Sequence, residues 1–282
     1  MPIQKRIAAI HDISCFGRCS LTVALPIISA AGIEVSVIPT ALLSTHTGGI
    51  PGYTFRDLTD EILPVTEHWK SLGLEFDALY TGFLGSFEQI EVVKEVFDKF
   101  RQKENLFIVD PVMADNGELY KIFPDSFPAG MCTLCSKADV IVPNITEAVL
   151  LLEEPYKEGP YTPRYIEKLL RSLAKLGPKQ VVLTGVYFDD EQLGAASYDA
   201  GKEEIDFAFA KHIPEYFHGT GDVFASAMVA ALLKGLNLPS ATAVAVDFTV
   251  KSIERTRQAG SDIRFGVDFE PGLLELAQKL SR

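Results

Sequence analysis

Tyr-Phe-His-Gly-Thr-Gly-Asp-Val-Phe, residues 216–224, is the stretch that decides the fold of this chain, and an apolar run at residues 225–233 follows it directly. The two glycines and the threonine predict a tight turn, and the apolar run predicts a helix that opens at Asp222. The first N–H groups of a helix lack internal partners, and the helix dipole adds about half a positive charge there, so this turn suits an anion. Asp222 can then be an ordinary helix cap, or a carboxylate that accepts a proton beside a phosphate group in transit.

The composition is that of a globular protein, with 47% hydrophobic and 23% charged residues among 282. A chain of this length can build a large core as one α/β domain or as two smaller ones. The net charge of −12 argues against a nucleic-acid partner or an anionic membrane, since both are bound through clustered Lys and Arg. A phosphate ligand remains compatible with this charge, because backbone N–H groups alone can make a site locally positive.

The start of the chain gives no sign of a leader or an anchor. Only four consecutive apolar residues, 7–10, precede His11 and Asp12. The apolar runs elsewhere are too short to span a bilayer. We therefore expect a cytoplasmic protein with no membrane partner.

Four cysteines form two close pairs, Cys15 with Cys19 and Cys132 with Cys135. A Cys-x-x-Cys pair can be a redox dithiol or half of a zinc site. Cys132 and Cys135 have the spacing of one helix face, however, and no histidine stands at zinc-ligand spacing beside either pair. We interpret the cysteines as buried, inert thiols, with a metal or redox role as the alternative.

Segments of strand and helix character alternate along the chain. The strand pattern, apolar and rich in Val and Ile, occurs at residues 5–12, 34–43, 76–81, 106–109, 139–142 and 180–184. Helical spacing occurs at residues 21–31, 54–72, 87–100, 162–176, 222–234, 240–257 and 271–279, and a further helix contains Glu147. Residues 193–200 and 204–211 predict an antiparallel pair. This rhythm predicts a three-layer αβα fold, with a mostly parallel central sheet and helices on both faces. No linker divides the chain, so we expect a single domain over residues 1–282.

Polar side chains follow the predicted strands at their carboxyl ends, where sheets of this kind bind ligands. Taken singly, each can be a loop residue or a cap. Together they should converge on the edge of the sheet that also holds the Gly219 turn. They are Asp12, Thr47, Gly82, Asp110 with Asp115, Asn144 with Glu147, and Thr184.

The residue types in this set suit phosphoryl transfer assisted by a cation. Asp110 and Glu147 are hard oxygen ligands that can hold Mg²⁺ directly or through its waters, while the turn N–H groups neutralise a phosphoryl group. The sequence has no Walker loop, because its one Gly-Lys pair, at residues 201–202, lacks the upstream glycine and the following Ser or Thr. Transfer would therefore depend on a helix start instead of a lysine cradle.

Four motifs, in order within residues 6–256, resemble the ribokinase superfamily, and the first resembles the vitamin B6 kinases, the pyridoxal kinase family. They are Ser-Thr-His-Thr-Gly at residues 44–48, Asp-Pro-Val at 110–112, Pro-Asn-Ile-Thr-Glu at 143–147 and Gly-Thr-Gly-Asp at 219–222. The resemblance implies a ribokinase-like fold and a homodimer. It also implies an ATP-dependent kinase that phosphorylates the 5′-hydroxymethyl group of pyridoxal, pyridoxamine or pyridoxine, in salvage of pyridoxal phosphate.

The resemblance also implies a role for each motif residue. Asp222 would accept the hydroxyl proton, and the anion hole would consist of Gly219, Thr220 and Gly221. Mg²⁺ would be held by Asp110 and Glu147, and a requirement for K⁺ stays open. The other ATP-binding residues implied are Asp115, Tyr120, Asn144 and Thr184, together with Gly219 and Thr220. The substrate residues implied are Asp12, His46, Thr47, Phe83 and Asp222.

Two positions depart from the B6 kinase pattern. Asp12 stands where many of these kinases have a serine, and a carboxylate there could bind a protonated ring nitrogen or the ammonium of pyridoxamine. We therefore hypothesise a preference for pyridoxamine over pyridoxal. Ala41 and Leu43 stand where bulkier ring contacts are common, which predicts a roomier pocket.

Other functions remain open at this point. Hydroxymethylpyrimidine kinases of thiamine synthesis share the fold, but they usually offer a carboxylate from the second-strand region and often end the anion-hole string in cysteine. Residues 40–49 contain no acid, and the string ends in Asp222. A non-catalytic B6-binding protein is the alternative of another class.

Overall fold

Apolar segments build one central sheet in the computed structural model, which describes residues 4–281. In chain order the strands are β1 (Arg6–Phe16), β2 (Glu34–Thr45), β3 (Phe55–Asp57), β4 (Ala78–Thr81), β5 (Leu106–Val109), β6 (Ala114–Asp115), β7 (Glu118–Leu119), β8 (Val140–Ile141), β9 (Gln180–Val186), β10 (Gln192–Asp199) and β11 (Glu204–Lys211). Strands β6 and β7 form a small hairpin of their own, and the others belong to the central sheet.

The sheet has the strand order β11-β10-β9-β8-β5-β4-β1-β2-β3 within the described residues. The six inner strands, from β9 to β2, pair in parallel, while β10 and β11 extend one edge and β3 the other through antiparallel pairs. Every residue of β4 is buried, whereas every residue of β3 is exposed. Parallel strands covered on both faces are expected to be apolar; β4 and β5 are largely so, whereas β1 and β2 also contain polar residues.

Helices cover both faces of the sheet. They are α1 (Leu21–Ala30), α2 (Thr59–Ser71), α3 (Phe87–Phe100), α4 (Phe127–Cys135), α5 (Ile145–Leu151), α6 (Pro163–Ala174), α7 (Thr220–Leu233), α8 (Leu238–Ala259) and α9 (Leu273–Leu280). One buried cluster joins the sheet to α2 through α6, and a second joins its other face to α1, α7, α8 and α9. The predicted three-layer αβα architecture with a mostly parallel sheet is therefore confirmed.

Three local predictions were wrong. Strand β1 continues past Asp12 to Phe16, because the whole stretch pairs with β2. The helix expected from residue 54 begins at Thr59, and residues 55–57 instead pair with β2 as β3; Pro64 lies inside α2 without ending it. Residues 114–118, whose polar sequence predicts a loop after the strand at 106–109, instead contribute to the β6–β7 hairpin.

The cysteines agree only in part with the prediction of buried thiols. Cys19 and Cys135 are buried and Cys132 is partly buried, but Cys15 is exposed near the end of β1, which corrects the prediction for that residue. All four are free, and within residues 4–281 no group of three or more His, Cys, Asp or Glu side chains is placed to hold a metal ion. Burial raises the pKa of the Cys132 and Cys135 thiols, which disfavours the reactive thiolate.

No helix in the described part of the chain is long and apolar enough to cross a membrane. The prediction that the chain has no leader depends partly on residues 1–3, which lie outside the described residues. Residue 282, the last residue of the expected single domain, also lies outside them.

Candidate active site

The turn before α7 has the backbone geometry of an anion site. Gly219, the residue that precedes the helix, has a φ of +70°, in the left-handed region that favours glycine. A Cβ at this position would also collide with the carbonyl oxygen of Arg18, so two constraints require glycine here. Gly221 is exposed and faces open space. The first N–H groups of α7, which have no intrahelical acceptor, are therefore accessible at the helix start.

Arg18 ties this turn to a distant part of the chain. Its backbone N–H donates to the carbonyl oxygen of Phe265 over 2.8 Å, and its own carbonyl oxygen lies against both Gly219 and Gly266. The Arg18 side chain points elsewhere, in ion pairs of 2.9 Å with Asp268 and 2.8 Å with Glu270. The guanidinium is thus engaged away from the anion turn.

Asp222 is the third residue of α7 and does not cap it. The helix begins two residues earlier than predicted, Gly219 occupies the capping position, and no side chain makes a capping hydrogen bond there. Burial and the nearby charge of Asp12 raise the pKa of Asp222 to about 7, against a hydrogen bond from the Ser20 backbone that lowers it. Its carboxyl group can therefore exchange a proton near neutral pH, as a general base requires.

Asp12 lies inside β1, at an irregularity in the sheet. His11 pairs with Pro39 but Ile13 pairs with Leu42, so β2 holds one extra residue opposite Asp12. Asp12 is 3% exposed; its Oδ2 accepts from the Ser14 hydroxyl over 3.4 Å, and its Oδ1 is buried without a hydrogen-bond partner. Burial raises the pKa of Asp12 to about 6, opposed by the hydroxyls of Ser20 and Ser14.

Asn144 and Glu147 form a capping box at the start of α5. The Asn144 Oδ1 accepts from the Glu147 N–H over 2.9 Å, and the Glu147 Oε2 accepts from the Asn144 N–H over 2.9 Å. The Glu147 Oε1 also accepts from the Met113 N–H over 3.1 Å, and the Asn144 amide donates to the Ala114 carbonyl over 2.8 Å. This motif therefore fixes the segment after β5 against the start of α5.

Asp110, at the end of β5, has the properties of a cation ligand. It is 6% exposed, and its carboxylate has no hydrogen-bond donor among residues 4–281. Burial raises the pKa of Asp110 well above its ordinary value, and the charges of Glu147 and Asp222 raise it further. A carboxylate in these surroundings becomes ionised when a cation is bound, so Asp110 fits Mg²⁺. Both oxygens of Glu147 already accept backbone hydrogen bonds, which favours an indirect role for Glu147 over direct ligation.

The β6–β7 hairpin and Thr184 flank these acids. Asp115 accepts from the Tyr216 hydroxyl over 2.9 Å at Oδ2 and from the Asn116 N–H over 2.8 Å at Oδ1. Burial and the charges of Glu147 and Asp115 raise the pKa of Tyr120, so its side chain lies near both acids. Thr184, at the carboxyl half of β9, bridges to Asn144 and donates its N–H to the Pro143 carbonyl over 3.0 Å. The structure thus places all the residues expected to bind ATP beside α5 or the α7 turn.

The loop after β2 contacts the anion turn through two histidines. The His46 ring lies 4.8 Å from the His218 ring, centroid to centroid. His46 Nδ1 accepts from the Gly48 N–H over 3.1 Å, so its Nε2 donates to the Arg264 carbonyl. Thr47, between these residues, is partly exposed.

Phe83 is the candidate that the described contacts do not join to the others. Its ring packs against Phe123, with 5.8 Å between centroids, on the side of the sheet that holds α3 and α4. Sequence reasoning also missed three residues near the acids. Tyr216 and His218 belong to the stretch that contains Gly219, and this position in the sequence was the available signal. Tyr80 had no such signal, although burial and the charges of Asp110 and Asp222 raise its pKa.

Residues 28–265 match the sequence model of the phosphomethylpyrimidine kinase family. The chain belongs to this family. A Bacteroides thetaiotaomicron protein, provisionally assigned as a phosphomethylpyrimidine kinase and crystallised with pyridoxal, is 39% identical, with a TM-score of 0.92 over 99% of this chain and 96% of that one. Pyridoxal kinase from Lactobacillus plantarum is 31% identical, with a TM-score of 0.88 over 98% of each chain. The resemblance to the pyridoxal kinases inferred from four motifs is confirmed.

Two plant relatives are much longer than this chain. The chloroplast thiamine biosynthetic bifunctional enzyme of Arabidopsis thaliana is 28% identical over 245 residues, which cover 83% of this chain and 43% of that protein. For the corresponding rice protein the match covers 40% of its length. The chain therefore spans less than half of these relatives.

Proposed function

We propose that this protein is an ATP-dependent kinase that transfers the γ-phosphoryl group of ATP to the 5′-hydroxymethyl group of a B6 vitamer. The observation that carries the proposal is Asp222, a carboxyl group with a pKa of about 7 that lies in the first turn of α7 without capping it. An acid placed beside open helix N–H groups suits a reaction in which a proton leaves as a phosphoryl group arrives.

In this mechanism backbone N–H groups stabilise the negative charge of the phosphoryl group. The N–H groups of Thr220 and Gly221 neutralise the transferring phosphoryl oxygens, and the αL conformation of Gly219 aims them. Asp222 orients the acceptor hydroxyl and takes its proton as the new O–P bond forms, because a carboxylate is too weak a base to remove that proton beforehand.

The acids that follow β5 and β8, Asp110 and Glu147, would act on the nucleotide. Asp110 would hold Mg²⁺, which when bound would neutralise phosphate charge. Glu147 would act indirectly, by holding the 113–114 segment through its backbone hydrogen bonds. Asp115, Tyr120 and Thr184 would line the ATP site beside this box.

Two observations support a B6 vitamer as the acceptor. The Bacteroides thetaiotaomicron relative, 39% identical, was crystallised with pyridoxal. In this chain, the buried Oδ1 of Asp12 lacks a partner, so a substrate that brings a cationic nitrogen would complete its hydrogen bonding. Thr47 and His46 would contact the ring from the loop after β2.

A hydroxymethylpyrimidine acceptor is the second candidate. The match to the phosphomethylpyrimidine kinase family model and the thiamine biosynthetic plant relatives favour it. An aminopyrimidine also has basic nitrogens that could meet Asp12, so this carboxylate alone does not separate the two substrates.

ADP release from Mg²⁺-ATP, measured with pyridoxal, pyridoxamine, pyridoxine and hydroxymethylpyrimidine as acceptors, tests the proposal. We expect kcat/KM to be highest for pyridoxamine, and Asp12→Ser to reduce its advantage over pyridoxal by about tenfold, the order of one charge-assisted hydrogen bond. A clear wild-type preference for pyridoxal would refute the role of Asp12. Turnover of the pyrimidine alone would replace the B6 proposal, and no turnover of any acceptor would refute the kinase.

A further inference from the structure

Tyr216 makes an unusual contact for a surface tyrosine. Its residue is 54% exposed, yet its hydroxyl donates to the Asp115 Oδ2 over 2.9 Å, across 101 positions of sequence. Asp115 belongs to the β6–β7 hairpin, whereas Tyr216 stands three residues before Gly219. The hydrogen bond therefore joins the hairpin directly to the segment that forms the anion turn.

The ring of Tyr216 also contacts one of a pair of histidines, His218 and His46. It meets the His218 ring edge to face, with 5.0 Å between centroids, and His218 lies 4.8 Å from His46. A Cβ on Gly48 would come within 2.9 Å of the His218 ring, so the backbone of that loop also rests on it. The tyrosine is thus fixed at both ends, by the hairpin at its hydroxyl and by the loop after β2 through His218.

This bridge borders the same compartment as the catalytic acids. Charges on Glu147, Asp115, Tyr216 and Asp110 all act on Tyr120, so these five side chains share one neighbourhood. Tyr216 also lies near Cys19, and the charges of Asp222 and Asp12, together with burial, raise the pKa of the Cys19 thiol. Burial and Asp115 raise the pKa of Tyr216 above its ordinary value, so the hydroxyl remains a donor at every pH at which the protein would act.

We propose that Tyr216 is a positioning residue that, through its hydrogen bond to Asp115, closes the phosphate compartment against water and so commits the γ-phosphoryl group to the acceptor hydroxyl. The inference rests on the proposed kinase function. Water in this compartment would compete with the acceptor, giving ADP and inorganic phosphate instead of ADP and phosphorylated product. Closure of an active site is the general means by which such hydrolysis is prevented.

The test is the ratio of inorganic phosphate to pyridoxal 5′-phosphate formed, with pyridoxal as the acceptor, because this ratio compares hydrolysis with transfer. We expect a ratio well below one for the wild type and a ratio raised about three- to tenfold for Tyr216→Phe, the range that corresponds to loss of one hydrogen bond. Asp115→Ala should raise the ratio as well, and the double variant should add little to either change, because both remove the same bond.

Tyr156→Phe is the matched control. Tyr156 is also partly exposed and packs on Gly117 of the same hairpin, but its hydroxyl is not bonded to the anion-turn segment. Its ratio should stay at the wild-type value. A wild-type ratio in Tyr216→Phe, or an equal increase in Tyr156→Phe, would overturn the inference while leaving the proposed kinase intact. Absence of any product from the wild-type protein would overturn both.

Discussion

Asp222 and Asp12 are two carboxyl groups with raised pKa values, and the charge of Asp12 acts on Asp222. Within the described residues, no Lys, Arg or His contributes to the pKa of either group. Each pKa is raised instead, to about 7 for Asp222 and about 6 for Asp12, mainly by burial. The proton occupancy of this pair therefore changes across the physiological range, so the proposed phosphoryl transfer should depend on pH.

We expect kcat/KM to rise with pH toward a plateau above about 7, because Asp222 must be ionised in the free enzyme to accept a proton. Asp12→Asn should move this acidic limb to lower pH, since it removes the like charge that helps to raise the Asp222 pKa. Profiles of kcat/KM from pH 5 to 9 for both proteins provide the measurement. An acidic limb that does not move would show that Asp12 does not act on the catalytic base.

The amide variant Asp222→Asn removes the proposed base while keeping its size. We expect kcat to fall by about 10²- to 10⁴-fold, the usual contribution of a general base, with an unchanged circular dichroism spectrum. Glu88→Gln is the control, because Glu88 is also an acid in the first turn of a helix, α3, but is exposed and lies outside the site. Wild-type turnover by Asp222→Asn would rule out its role as the base.

At the scale of single elements, the start of α7 depends on one glycine more than on the other. Gly219→Ala combines a left-handed φ with a collision against the Arg18 carbonyl, so we expect it to cost about 2 kcal/mol or more of stability and to reduce kcat. Gly221→Ala meets open space within a helix and should leave the melting temperature equal or higher. Thermal unfolding of the two variants measures the contrast, and equal melting temperatures would contradict it.

Elements with a strong internal pattern were predictable from sequence, and those formed by pairing were not. The bounds of α3 and β5 were predicted to the residue, because their apolar residues repeat with helical spacing or form a continuous run. Strand β3 was missed since all three of its residues are exposed, and only its partner β2 makes it a strand. Pairing with β2 likewise extends β1 beyond Asp12, where the predicted strand ended.

At the scale of the whole molecule, the parallel sheet explains why the site could be assembled from sequence. Asp110 and Asn144 follow β5 and β8, and Thr184 lies in the carboxyl half of β9, so these parallel strands bring the three residues to one edge, while Asp12 lies within β1. What sequence could not supply was which side chains meet across loops. The contact between the His46 and His218 rings and the hydrogen bond from Tyr216 to Asp115 join segments far apart in the chain, and no local pattern encodes such contacts.

The backbone contacts of Arg18 affect which positions around the anion turn tolerate mutation. The contacts that support the anion turn are made by the Arg18 backbone, with Gly219 and Gly266 packed against its carbonyl oxygen and Phe265 accepting its N–H. Another side chain at position 18 would therefore leave the contacts to the turn in place, but it would remove the ion pairs with the exposed Glu270 and with Asp268, which is 9% exposed. The two glycines cannot be replaced in this way, so the mutational sensitivity of the turn extends to residue 266, more than 40 positions further along the chain.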